Sequence, residues 1–447
     1  MSGCSGGVIH WRCSSYPSIF TDYGAGHTMN AYTKTPLTNL VANYRRGYSL
    51  PAEFYTSQDV FDIDLDVFFR RHWIIVGVAA DIAEPGDVRK VDVGTTSILL
   101  LRDDDMEVRA FHNVCRHRGA RMVNEDKTSV GRLVCPYHQW SYNLSGNLVH
   151  AAHMGKGLDW SCHGLKPVNL RVIGGIIFIC MAEDAPSDID EIATVLGERL
   201  EPYDLKNARI ALAKTIIEPG NWKLSVDNNR ECYHCEGSHP ELSNTFVSLD
   251  IGFDPDELGD EEREDYVRHC EIAGAQVEVW ESQGFPSRKV ERYEGSETLF
   301  RTERFVITGA GESHTLDGKA ASRKLLGSLK EPRFGDMHLH THNSWSHFFA
   351  DHAVVSWIIP LAADRTALHS VWLVNNDAQE GVDYDLNRLS EVWIATNQQD
   401  ADLVSIAQLG VASMAYQPGP LSEFCETTVD RNIAWYIERL KAHGYKA

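Results

Sequence analysis

The stretch "CRHRGARMVNEDKTSVGRLVCPYH", Cys115 to His138, carries one cysteine and one histidine at each end: C-x-H, seventeen residues, then C-x2-H. Two short loops therefore each offer a thiolate and an imidazole. Four such ligands can hold a tetrahedral zinc. They can also hold a [2Fe–2S] cluster, with both cysteines on one iron and both histidines on the other. The distribution favours the cluster. A zinc finger pairs Cys with Cys and His with His on separate elements, whereas here each loop carries one of each, and each loop of a diiron site must reach both irons. Gly119, Pro136 and the aromatic run Tyr137, Trp140 and Tyr142 suit loops that shield such a group. His112, close by, reads as a packed strand residue and not a ligand.

Around this motif, from Val88 to Met181, lie short β-runs: "TSILLLR", "VRAFHNVC", "GRLVCPYHQWSYNL" and "RVIGGIIFICMA", with turn signals such as "LSGN" between them. They predict a small all-β domain. Ahead of it, "TPLTNLVANYRRG" and "DIDLDVFFRRHW" read as helices, the second amphipathic. Residues 1–28 lack a clear period and read as a disordered tail, with Met29 an alternative natural start. After the β-domain, "SDIDEIATVLGERLEPY" reads as a helical connector. A second domain opens with the strand "ARIALAKTIIE" and the helix start "PGNWKLSVDNNRE". Residues 243–300 are acidic and give no clear pattern. "WSHFFADHAVVSWIIPL" and "TALHSVWLVNN" predict antiparallel strands joined at "AADR", and "YDLNRLSEVWIATNQQDADLVSIAQLG" a helix capped by Gly410. The expected divisions are 1–28, 29–75, 76–185 and 186–447.

A second ligand-rich stretch, "NNRECYHCEGSH", spans Asn228 to His239. On a helix, Glu231 and His234 share a face, while Cys232 and Cys235 share another turned by about 100°. A break at Gly237 would swing His239 back toward the ion bound by His234. One reading is zinc on the two cysteines and a histidine. The other is Fe(II) on His234, His239 and a later carboxylate, a set that leaves coordination positions open for O2. The helical continuation favours iron, with the cysteines as packing residues.

The formal net charge is −21 over 447 residues, which argues against a nucleic-acid partner and against an anionic membrane surface. No run of 18 apolar residues occurs, so no membrane-spanning helix is expected. Ten thinly spread cysteines suggest a reducing cytosol, with thiols free or on metals. "GAGESH" at 309–314 has His where a dinucleotide fingerprint needs its third glycine. NAD(P)H and flavin are therefore expected on a separate protein. The acidic "GDEERED" at 259–265 reads as solvated surface.

"CRHRG", "CPYHQWSY" and "NWKLSVDNNRECYHCEGSHPEL", in that order, resemble the oxygenase (alpha) component of Rieske non-haem iron oxygenases. The resemblance covers nearly everything after the tail. "SLPAEFY", "EGVDYD" and "AYQPGP" look closest to the branch acting on quaternary amines, above all its glycine betaine demethylases; choline, carnitine and proline betaine are the alternatives, and an aromatic-ring dioxygenase the more distant one. The resemblance implies an α+β chain, with an all-β Rieske domain and a helix-on-antiparallel-sheet catalytic domain of the START/Bet v1-like kind. It implies one [2Fe–2S] cluster on Cys115, His117, Cys135 and His138, and one Fe(II) on His234, His239 and Asp400. Asp400 is chosen because it precedes Gly410 by ten residues and Gln408 by eight; Asp402 is the runner-up. It also implies O2 as cosubstrate, a ferredoxin/flavin reductase partner and a homotrimer in which Glu231 bridges the cluster of one subunit to the iron of the next; the cysteine usage places it in the cytoplasm. A small quaternary amine would be held by aromatic faces. Trp345, Phe348, Phe349, Trp357, Trp372, Tyr384 and Trp393 are available, without a choice among them.

Overall fold

A computed structural model of the chain describes residues 31–446 apart from 156, 248–251 and 255, with side chains from Leu37 onward. The expected tail and Met29 lie outside the described residues. The chain divides into two compact units, one containing residues 82–170 and the other residues 36–81 and 171–447.

The first unit is built from β-strands. Val108–His112, Thr96–Arg102, Asp87–Val93 and Lys127–Ser129 form one antiparallel sheet in that order. Leu133–Val134, Ser141–Tyr142 and Leu148–His150 form a smaller one. Leu99, Leu101, Phe111, Trp140 and Tyr142 fill the core between them, together with Cys115 and Cys135. The "LSGN" turn needs its glycine: Gly146 has φ +82°, and a Cβ there would stand 2.5 Å from the Phe111 ring.

The second unit is a seven-stranded antiparallel sheet with helices. Its order is Arg209–Glu218, Arg365–Val374, His352–Ala362, Ser344–Phe348, Asp336–Thr341, Phe300–Phe305, Val290–Arg292. The expected hairpin at "AADR" is present, with Ala362 opposite Arg365. Strands Ile74–Val78 and Ile176–Cys180 pair with each other and belong to this unit, so the β-run "RVIGGIIFICMA", expected in the small β-domain, falls in the second unit. Asn343 explains the attachment. Its buried amide accepts from Ile75 N at 3.1 Å and donates to Ile75 O at 2.9 Å.

Helices Glu53–Thr56 and Gln58–Val67 pack with Trp222–Asn229 and with a C-terminal helix, Thr427–Ala442, which the sequence reading left unassigned. Asp64 is the polar centre of this packing. It is fully buried, pairs with Lys223, and accepts from Trp222 Nε1 at 3.0 Å and Tyr436 Oη at 2.7 Å. The rings of Phe68, Trp222 and Tyr436 close over it. The unreadable acidic stretch contains a long exposed helix, Asp260–Ser282, whose surface charge matches the solvated reading of "GDEERED". The helix Leu386–Val411 runs through Gly410 and ends on Ala412, so Gly410 is a last-turn residue and not the cap.

Breaking the Asp64 centre should unfold the second unit easily. Asp64→Ala leaves the Lys223 ammonium, 4% exposed, buried without its anion. The expected loss is about 3–5 kcal/mol, read from urea denaturation followed by tryptophan fluorescence. A loss under about 1 kcal/mol would show that the pair is not a structural centre.

Candidate metal centres

The two loops of the first motif share one backbone pattern. Cys115 N–H donates to Ala120 O at 2.9 Å, and Gly119 N–H to Cys115 O at 3.0 Å. In the second loop Cys135 N–H donates to Trp140 O at 2.8 Å, and Gln139 N–H to Cys135 O at 3.0 Å. The fourth residue after each cysteine takes positive φ, +76° at Gly119 and +62° at Gln139. This repeated turn brings like donors together. The cysteines are both buried, and burial followed by the neighbouring Cys115 thiol pushes the Cys135 thiol up. The His117 and His138 rings lie 4.6 Å apart, centroid to centroid, and His117 stacks on Trp140. His117 Nδ1 is buried with no hydrogen-bond partner. Tyr142 Oη accepts Arg116 N–H at 3.0 Å and sits 3.5 Å from Cys115 Sγ. Two adjacent thiols, two adjacent imidazoles and an orphaned ring nitrogen fit a [2Fe–2S] group with two cysteines and two histidines. His112 ends a strand, bonded through its backbone to Lys166 O, as expected of a packed residue.

The second motif departs from its expected helix. The helix Trp222–Asn229 stops there, capped at Arg230, and a one-turn helix follows only at Cys235–Ser238. The break lies at 230–234, where the Glu231 carboxylate accepts the Tyr233 N–H and so satisfies outside a helix a donor that a helix would otherwise use. Gly237 is an ordinary helical residue and does not make the break. Cys232 and Cys235 flank the turn and are joined as a disulfide, with Cα atoms 4.9 Å apart. They are therefore neither free packing thiols nor, in this state, metal ligands, although Cys235 Sγ lies within 4.8 Å of the donor nitrogens of His234 and His239.

The one-turn helix brings the histidines together, with His234 at its N-cap and His239 at its C-cap. His234 Nε2 and His239 Nε2 are 3.0 Å apart. Asp400 Oδ1 lies 3.4 Å from the first and 3.1 Å from the second. Donors about 2.1 Å from one ion and about 90° apart would stand about 3.0 Å from each other. The three residues thus fit one face of a six-coordinate ion. Asp402, the runner-up, is exposed and bonded to Gln398.

Each imidazole is aimed from behind. His234 Nδ1 meets Glu231 Oε1 at 2.7 Å, and His239 Nδ1 meets Gln399 Oε1 at 2.9 Å. Gln399 Nε2 in turn donates to Glu241 at 2.8 Å, and Asn228 Nδ2 donates to Asp400 Oδ1 at 2.6 Å. With both Nδ1 atoms engaged, both Nε2 atoms are left for an ion. Burial opposes charge on His234, but Asp400 and Glu231 push its ring up to about 9. His239 is raised against burial by Asp400 and Gln399, and Asp400 is lowered against burial by the two rings. The site favours a cation. Sequence reading named Glu231 but missed Asn228, Gln399 and Glu241; "NQQD" carried the only available hint, a glutamine beside the chosen acid.

A cavity of about 70 Å³ opens over these donors. Of the seven candidate aromatics only Trp345 and Trp393 line it; Phe348, Phe349, Trp357, Trp372 and Tyr384 are core residues elsewhere. Phe246 and Phe305 join them, with the unforeseen histidines His338, His340 and His347. Glu231 lines this cavity and also a second one of about 230 Å³.

Comparison with known proteins supplies independent findings. Residues 205–442 match the ring-hydroxylating alpha subunit catalytic domain, and residues 72–169 the Rieske [2Fe–2S] domain. The glycine betaine monooxygenase oxygenase subunit of Pseudomonas aeruginosa is 42% identical over 395 residues, 88% of this chain and 89% of that protein. The carnitine monooxygenase oxygenase subunit of Escherichia coli is 36% identical over 213 residues, 46% of this chain and 56% of that one. A crystal structure of a quaternary ammonium Rieske monooxygenase shares the fold, with TM-score 0.64 and 21% identity over 92% of this chain and 98% of its own.

Gln399→Leu removes the acceptor that aims His239. It should weaken Fe(II) binding by about 10–100-fold, measured by titration of metal-free protein, while the visible absorption of the cluster stays unchanged. Unaltered iron affinity would mean that packing alone orients the ring.

Proposed function

The chain belongs to the ring-hydroxylating alpha-subunit family of Rieske non-haem iron oxygenases, and from that premise we propose that it N-demethylates glycine betaine. It is an oxidoreductase carrying a Rieske domain ahead of a catalytic domain. The unit of residues 82–170 would be the electron-relay module, with the cluster on Cys115, His117, Cys135 and His138. The catalytic Fe(II) would sit on His234, His239 and Asp400. The observation that carries this reading is the convergence of those three donors within 3.0–3.4 Å under a cavity lined by Trp345 and Trp393.

When bound, the two iron groups supply one-electron relay and O2 activation for cleavage of a C–H bond. The chain's own residues do the rest. Glu231 and Gln399 hold the Nδ1 sides of the two imidazoles so that Nε2 faces the ion. Asn228 fixes the Asp400 carboxylate. Trp345 and Trp393 offer faces to a trimethylammonium, which has no N–H to donate and is held by cation–π attraction. Hydroxylation of one N-methyl gives a hydroxymethyl group that leaves as formaldehyde. The balance is trimethylglycine, O2, two electrons and two protons giving dimethylglycine, formaldehyde and water. The electrons would come from NAD(P)H through a separate flavin or ferredoxin reductase. Sequence similarity over nearly the full length to glycine betaine monooxygenase supports betaine over carnitine, whose monooxygenase aligns in sequence over less than half of the chain.

The proposed assembly is a cytoplasmic homotrimer in which Glu231 carries electrons between subunits. Its place between two cavities, with one oxygen on His234 Nδ1, supports a bridging role over that of a solvated surface acid.

Two measurements test the proposal. With a competent reductase, glycine betaine should be consumed one to one with formaldehyde, at kcat/KM at least about tenfold above choline or carnitine. Better turnover of either rival, or of an aromatic acid, would overturn the substrate. Glu231→Gln should keep both metals yet slow turnover by about 10-fold or more; demethylation at the unaltered rate would end the bridging role.

A further inference from the structure

The cavity wall contributed by the sheet is an ordered array. Strand register sets Arg301 opposite His340 and His340 opposite Trp345, making one row across three strands. The next row is Glu303, His338 and His347. All but Glu303 line the cavity. Most of these polar groups have protein partners. Arg301 pairs with Glu303 and donates to Thr428 at 3.2 Å, and His347 Nδ1 meets Asp336 at 2.7 Å. His340 has none. It is 4% exposed, and both its ring nitrogens are buried without a hydrogen-bond partner; Nδ1 of the adjacent His338 is likewise orphaned.

A second imbalance lies on the same cavity. Arg230 is 1% exposed and lines it, yet its guanidinium reaches only neutral acceptors: Asn229 Oδ1 at 2.6 Å, Ser344 O at 3.2 Å, and Thr341 O. Its Nε has no partner, and among the described residues no carboxylate lies within ion-pair distance. Its acidic neighbour is Asp227, which burial pushes up to about 7. Buried charges without an anion and buried imidazoles without partners are both costly. A ligand carrying an anionic oxygen would relieve both at once.

We infer that His340, in the field of Arg230 and Arg301, forms an anion subsite that receives the carboxylate of a zwitterionic substrate. The inference rests on the betaine reading and specifies how that molecule is held. Cross-strand neighbours have Cβ atoms about 4.5–5.5 Å apart, so His340 and Trp345 can take the two ends of a molecule whose charges are one methylene apart. The carboxylate goes to the imidazole N–H and the trimethylammonium to the indole face. The ammonium is then also in the field of Asp400 and Glu231, which line the same cavity. His340 is on this argument a specificity residue. After burial, the influences that keep its ring neutral include Arg230 and Arg301, evidence that the local field is positive.

The test uses 3,3-dimethylbutanoate, the uncharged-carbon isostere of betaine, which keeps the carboxylate and loses the cation. On the iron-loaded protein it should compete with betaine, and its neutral amide should bind at least about tenfold more weakly. His340→Phe should weaken dimethylbutanoate by about 10–100-fold and reduce the kcat/KM preference for betaine over choline by a similar factor, with iron and labile sulfide content unchanged. Equal affinity for acid and amide in the unaltered protein overturns the subsite, and that comparison does not depend on the variant folding. A His340→Phe protein that keeps its preference overturns it as well. Failure of the unaltered protein to demethylate betaine, with dimethylbutanoate still binding through His340, would instead overturn the substrate reading and leave the subsite standing.

Discussion

The convergence of His234, His239 and Asp400 depends on how two antiparallel helices pair. Trp222–Asn229 lies against Leu386–Val411 and is held at both ends. At one end Asn221 N–H donates to Gln408 Oε1 at 2.9 Å while the Asn221 side chain caps Lys223 N–H. Beside it Gly220 permits the approach, since a Cβ there would stand 2.4 Å from Val404. At the other end Asn228 meets Asp400. Seven residues forward on one helix match eight residues back on the other, close to equal rises of about 1.5 Å per residue. A slip of one residue would carry Asp400 about 100° around its helix and away from the histidines.

Given that register, the residue before Asp400 matters as much as Asp400. Gln399 grips His239 from behind while Asp400 faces the Nε2 atoms of both rings. The turn at 230–234 does the corresponding work on the other segment, where His234 turns Nε2 toward Asp400 while Glu231 holds its Nδ1. The result is a half-buried acid whose pKa the two rings lower against burial, and two imidazoles whose pKa values that acid raises. Metal binding at such a site is linked to proton release, because a ligating imidazole must be neutral at the nitrogen it offers.

The sequence made much of this legible, and the reasons are specific. That Cys115, His117, Cys135 and His138 come together was readable because each loop is short and carries one thiol and one imidazole, so spacing alone limits the geometry. The hairpin at Ala362–Arg365 and the strand Arg209–Glu218 were readable from apolar runs. The break expected at Gly237 lies instead at 230–234, because local helix propensity competes there with a side-chain acceptor, Glu231, whose effect no periodicity records. The C-terminal helix was missed although its buried face packs on Asp64, a partner 372 positions away in sequence. The histidines of "MHLHTHNSWSH" were invisible as a wall because the wall exists only in the pairing of three strands. Of the aromatics, sequence supplied seven names and the fold retained two on the cavity, because the others fall on core-facing positions.

That wall has a consequence for how the protein can change. Along Asp336–Thr341 the residues alternate between the cavity face, with His338 and His340, and the opposite face, where Met337 and Leu339 are fully buried. Ser344–Phe348 does the same, with Trp345 and His347 on one side and Phe348 on the other. Cavity lining and core packing thus fall on interleaved positions of the same few residues. Drift at every second position can retune what the cavity accepts while the intervening positions keep the sheet intact. A lineage carrying this hairpin can therefore explore new cavity linings without first rebuilding its scaffold.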